Sequence, residues 1–183
     1  MKTFVLAVAL GLNAGVALAQ GGLLFGNRSL FTTPPIDAPV SDMAGVRLAG
    51  PAYLAQAYVG LAPDSLAAMG MIVPFRTGAN AGYIASTVIR TPWSMEWVYV
   101  EMRAWEAAAG PSYEAAQAVG GQHGRSNMLR LLLHTHTEMP TDMVGLQPFS
   151  LIPESPPAVL CLVGAGVFLA CRAAQAARWF CQC

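Results

Sequence analysis

Charged residues are scarce: Asp, Glu, Lys and Arg make up only 11% of the 183 residues, against roughly 25% in an ordinary soluble domain. Lysine is nearly absent, Lys2 standing alone beside nine arginines, and basic and acidic residues balance at ten each. A chain without a basic field cannot neutralise a phosphate backbone, so nucleic acid is not an expected partner. Cysteine is missing until Cys161; that residue, Cys171, Cys181 and Cys183 all fall in the last 23 positions. Residues 20–152 are therefore expected to hold no disulfide. Cys181-Gln182-Cys183 offers two thiolates, but no neighbouring His or Cys completes the four ligands of a structural zinc site. Neither a metal nor a cofactor is expected.

Catalytic signatures are missing too. There is no Gly-x-Ser-x-Gly elbow, no cysteine nucleophile before the tail and no ordered Ser, His and Asp set. Gly78-Ala79-Asn80-Ala81-Gly82 lacks the lysine of a phosphate loop and reads as a turn. His134 and His136 share a strand face, yet no third ligand is indicated and the loop signal Thr137-Glu138-Met139-Pro140 follows. Both, and His123 among its glycines, read as solvated histidines. Glu101, Glu106 and Glu114 supply carboxylates of the kind glycosidases pair, but Glu101 beside Arg103 on a strand reads as an ordinary surface ion pair. No catalytic residue is assigned, and a hydrolase with an unrecognised site stays open as an alternative.

What the chain does have is two apolar ends. Met1-Lys2-Thr3, an apolar run to Leu12 and Ala17-Leu18-Ala19 before Gln20 form the three parts of a secretory signal peptide over 1–19, with Ala17 and Ala19 as the small residues read by signal peptidase. The run is too short to cross a bilayer core of about 30 Å. At the other end, residues 155–171 carry no charge, and continuation through Ala173, Ala174, Ala176 and Ala177 predicts a transmembrane helix over about 158–177 in contact with membrane lipid. Arg172 and Arg178 follow it as a basic stop, and Glu154 is the only charge just ahead. The positive-inside rule then leaves the C-terminus in the cytoplasm and residues 20–152 outside.

Ile152-Pro153-Glu154-Ser155-Pro156, an apolar span of Val, Leu, Gly and Ala, and terminal arginines together resemble the PEP-CTERM sorting signal of exported Gram-negative proteins. Ser155 stands where the usual motif has its second proline, and Pro156 and Pro157 follow. Segments such as Ala52-Tyr53-Leu54-Ala55-Gln56, Pro74-Phe75-Arg76-Thr77-Gly78 and Gly145-Leu146-Gln147-Pro148-Phe149 are similar to a group of such proteins with no assigned activity. The resemblance implies that an exosortase-type membrane transpeptidase recognises Pro153, Glu154, Ser155 and Pro156 within residues 153–183. It would then remove the helix and release or transfer the protein from the periplasm to the surface or medium. The prolines suit this role by keeping the segment extended. PEP-CTERM systems generally accompany exopolysaccharide, which makes that polymer a candidate partner.

Between the ends, short apolar or β-branched runs alternate with Gly and Pro, which predicts an all-β, sandwich-like domain over 20–152. The clearest strand spans 95–105, with Trp97, Tyr99, Glu101, Arg103 and Trp105 on one face and Val98, Val100, Met102 and Ala104 on the core face. Other strands are predicted near 22–25, 46–48, 53–58, 71–75, 83–89, 127–135 and 149–152. One short helix is predicted over 112–119, capped by Ser112, with Glu114 in its first turn and Gly120-Gly121 as its stop. Trp97, Tyr99 and Trp105 form a row that either stacks on sugar rings or packs beneath the second sheet or the helix. Packing is the simpler expectation, and a glycan- or surface-binding module is the alternative. The leading expectation is a non-enzymatic exported envelope or matrix protein.

Overall fold

A computed structural model describes residues 20–135 and 138–153. The expected signal peptide, His136 and everything from Glu154 onward, including the expected helix and Arg172 and Arg178, lie outside the described residues. In chain order the elements are β1 (Gly21–Phe25), β2 (Arg28–Ser29), β3 (Ile36–Asp37), β4 (Val40–Ser41), β5 (Tyr53–Gly60), β6 (Ala67–Pro74), β7 (Thr87–Thr91), β8 (Trp97–Glu106), α1 (Tyr113–Ala118), β9 (Gln122–Arg125), β10 (Leu129–Leu132), β11 (His134–Thr135), β12 (Thr141–Asp142), β13 (Phe149–Ser150) and β14 (Ile152–Pro153). The described residues are mostly strand with one short α-helix, the all-β class expected.

β8 is the spine of the larger sheet, whose order is β14-β9-β8-β5-β6. It runs antiparallel to β5 from Tyr53 opposite Glu106 to Gly60 opposite Tyr99. Its other edge is shared: β9 pairs with residues 103–105 and β10 with residues 97–100. Ser126 joins the two partners, taking the Met102 N–H on its Oγ at 3.0 Å and donating its own N–H to the Met102 carbonyl at 2.9 Å. A smaller sheet is built on β1, with β7 antiparallel along one edge and β11 and β12 sharing the other.

The inner faces of both sheets meet in one core. Leu23, Phe25 and Ile89 come from the smaller sheet, and Ala55, Ala57, Val59, Val98, Val100, Met102 and Ala104 from the larger. Val59 lies opposite Val100, and Ala57 on β5 lies opposite Met102 on β8, a small side chain facing a large one. Each large one contributes about 1.5–3 kcal/mol on burial. Asn27 ties the β2–β3 segment to this body: fully buried, its Nδ2 donates to the carbonyls of Ala38 and Gly82, both at 2.8 Å, and its Oδ1 accepts the Ile84 N–H at 3.0 Å.

Edge strand β6 carries a bulge, because Ala55 pairs with Val73 and Ala57 with Met69. Gln56, between those partners, donates its side-chain amide to the Gly70 carbonyl at 3.0 Å. Gly70 has φ of 71°, and a Cβ there would lie 2.7 Å from Ile89 side-chain atoms, so a glycine lets the bulge press against β7. α1 sits on the opposite face of the larger sheet, against β8 and β9. Ser112 caps it as expected, its Oγ accepting the Ala115 N–H at 3.2 Å, and Gly120 follows with φ of 69°.

Several boundaries differ from expectation. Residues 46–48 form no strand and give only an isolated bridge from Arg47 to Ser41. The 127–135 segment is two strands serving different sheets, and 149–152 likewise divides into β13 on β4 and β14 on β9. Pairing partners, not local composition, decide where such runs break.

Candidate functional site

Alternation along β8 buries Val98, Val100, Met102 and Ala104 in the core and turns Trp97, Tyr99, Glu101, Arg103 and Trp105 to the opposite face. The aromatic row therefore exists, but α1 divides it. At the C-terminal half of β8, Trp105 is 0% exposed in a second cluster with Tyr58, Tyr113 and Ala116. Its Nε1–H donates to the Gly110 carbonyl at 3.0 Å. No sugar reaches this ring, so Trp105 drops out of the expected glycan-binding set. The packing alternative describes it correctly.

Beneath the helix lies a polar network. Arg103 Nε donates to Glu101 Oε2 at 2.8 Å, and its Nη1 donates to Glu114 Oε1 at 3.4 Å. Its guanidinium stacks 4.0 Å from the ring centre of Tyr58 and 5.0 Å from that of Tyr113. The Tyr58 hydroxyl donates to Glu114 Oε2 at 2.9 Å, and Arg125 Nε lies 3.9 Å from Glu101 Oε1. Burial, with the Glu114 carboxylate beside it, pushes the Tyr58 hydroxyl far above the ordinary tyrosine range. Burial alone would raise Glu114, but the Tyr58 hydroxyl, a backbone N–H, Arg103 and Ser112 outweigh it and hold the carboxyl below its usual range. Glu101 is itself buried, so the expectation of a surface ion pair is corrected: its carboxylate lies between Arg103 and, at longer range, Arg125 of β9. A glycosidase acid needs a raised carboxyl, and Glu114 moves the other way.

His123 is corrected in the same manner. It is a buried residue of β9, edge-on to Tyr113 with ring centres 5.2 Å apart and Nδ1 2.8 Å from the Gly121 carbonyl. His134 sits on β11 with Nδ1 3.2 Å from Glu138 Oε2. Among the described residues no three His, Cys, Asp or Glu side chains are grouped to hold a metal.

The N-terminal half of β8 lies open. Trp97 is 50% exposed and Tyr99 half-buried. Arg130, directly opposite Tyr99 on β10, places its guanidinium 4.7 Å from the Trp97 ring centre. Among the described residues it has no carboxylate partner. Met95, just before the strand, is exposed and has φ of 56°, a conformation that non-glycine residues seldom adopt; its N–H donates to the Leu133 carbonyl at 2.8 Å. Arg130 could not have been matched to Trp97 from spacing, because only the β8–β10 register brings them together.

Of the other expected site residues, Gln20 is exposed immediately before β1, and Pro153 is exposed at the end of β14. Ala17, Ala19, Glu154, Ser155 and Pro156 lie outside the described residues. A groove of about 340 Å³ beside the β2–β3 loop is lined by Leu24, Arg28, Leu30, Phe31, Ser86 and Asp142 among others, with burial raising the Asp142 carboxyl. Among the described residues no helix is long and apolar enough to cross a membrane. Compared with protein-family models, with curated proteins and with solved structures, the chain matches none.

Proposed function

We propose that this chain is a non-enzymatic, exported cell-envelope or extracellular-matrix protein. In this reading signal peptidase removes 1–19, a PEP-CTERM-like tail sorts the protein, and a β-sandwich-like domain is what reaches the surface, in the company of exopolysaccharide. The observation that carries the reading is the order of the tail: Pro153-Glu154-Ser155-Pro156, an uncharged span, then Arg172 and Arg178.

The packing of the domain supports it. Leu151 is fully buried and donates its N–H to the Ser41 carbonyl at 2.9 Å, whereas Ile152 and Pro153 are exposed on edge strand β14. The motif thus begins where burial stops. A proline is tolerated there because an edge strand does not need its N–H. At the other end β1 starts at Gly21, where a Cβ would lie 2.0 Å from the Trp93 carbonyl oxygen, so the buried strand begins two residues after Ala19.

The test is processing in an exporting Gram-negative host that carries an exosortase. Wild type is expected as a transient membrane precursor and a mature form lighter by roughly the last 28 to 30 residues, the length of chain that follows a cut within the motif. Ala165→Arg puts a charge mid-span at a cost of about 2.5–3.5 kcal/mol and weakens membrane retention whatever the tail does. Glu154→Ala leaves insertion intact and makes the precursor accumulate. A Glu154→Ala protein that divides between membrane and medium as wild type does would falsify the sorting reading and leave a plain anchor.

A further inference from the structure

We propose that the open half of the β8 outer face is a binding site for an acidic polysaccharide, with Arg130 receiving the sugar carboxylate and Trp97 and Tyr99 carrying the sugar ring. The inference names a partner for the envelope reading and rests on it for the supply of polymer. Three observations carry it. Trp97 keeps half its surface in solvent on a strand whose other tryptophan, Trp105, is completely buried. Arg130 is held over that indole at 4.7 Å while no carboxylate among the described residues occupies it, in contrast to Arg103, bonded to Glu101 and Glu114. Met95 enters the strand through a strained left-handed conformation, and such strain is kept at binding sites more often than at neutral turns.

The chemistry selects the class of ligand. A planar guanidinium already stacked on a ring has lost much of its rotamer freedom, so a carboxylate meets a pre-set fork of N–H donors. An aromatic surface beside it suits the flat apolar face of a pyranose. Single-stranded nucleic acid also pairs aromatics with arginine, but it needs a track of cations along its backbone. Here Arg130 is a guanidinium that no described carboxylate meets, while Arg103, farther along the same face of the sheet, is already paired with Glu101 and Glu114. A polymer with one carboxylate per sugar, read at one point, matches that charge pattern.

The experiment is affinity electrophoresis of the full chain, extracted in mild detergent from the exporting host, through native gels containing polygalacturonate, neutral dextran or single-stranded DNA. Polygalacturonate should retard the wild type, and dextran and DNA should not. Arg130→Gln and Trp97→Ala should each weaken retardation about tenfold, the ratio one good contact supplies, with melting temperatures lowered by no more than a few degrees. Arg90→Gln, the same charge loss at an exposed position of β7, should keep it. No retardation, equal retardation by dextran, preference for DNA, or equal losses in the Arg130 and Arg90 variants would each overturn the proposal. Glu154→Ala should retain full retardation, so failed sorting and failed binding read out separately.

Discussion

The two halves of the β8 outer face carry similar side chains and meet different fates. Trp105 and Arg103, toward the end of the strand, lie under α1, where the indole N–H finds the Gly110 carbonyl and the guanidinium finds two carboxylates and two rings. Trp97, half exposed, and its stacked cation Arg130, toward the start, meet no carboxylate among the described residues. The difference originates in the chain just beyond the strand. It turns at Gly110, Ser112 caps a helix, and that helix reaches back over only half of the sheet. An aromatic residue on a sheet face thus says little about role until its cover is known.

The comparison breaks most visibly by truncating each tryptophan. Trp105→Ala removes a fully buried ring and should cost about 3–5 kcal/mol, whereas Trp97→Ala should stay within about 1 kcal/mol. Urea denaturation of the 20–153 domain, followed by far-ultraviolet circular dichroism, measures both. Equal losses would mean that the open half is also a core.

A smaller contrast separates the arginine partners. Glu101→Gln leaves Arg103 with a weaker acceptor in a buried place and should cost roughly 1–3 kcal/mol. Arg130→Gln, on the open half, should change stability by no more than about 0.5 kcal/mol. The same denaturation curves report it.

The mildest probe is pH. Glu114 has a depressed folded value, so its contribution is fully present above the ordinary carboxylate range of about 4.3 and is lost as pH falls through the folded value. Tyr58 has a raised one, so its contribution is intact below about 10 and fades as pH climbs past that toward the folded value. Protection of the α1 amides, taken relative to their intrinsic exchange rates, should therefore fall at both extremes in wild type. In Tyr58→Phe, acid sensitivity should diminish and the alkaline limb disappear. An unaltered alkaline limb in that variant would show that Tyr58 is not its source.

Sequence alone determined what depends on neighbours along the chain. Strict alternation from Trp97 to Trp105 identified β8 and its core face, because only one phase of a period-two pattern buries Val98, Val100, Met102 and Ala104 together. Ser112, Glu114 and Gly120-Gly121 marked the helix, since caps act within a turn. Tertiary structure decided everything that depends on remote partners. β9 was hidden in a glycine-rich stretch that reads as a turn, and becomes a strand by pairing with β8 and receiving β14. Asn27 has no local signal at all, since its two acceptors and one donor arrive from Ala38, Gly82 and Ile84. Glu101 became a buried carboxylate, and Arg130 the companion of Trp97, only when the strands beside β8 found their register. Burial and pairing across a sheet are set by residues far apart in sequence, and local composition does not record them.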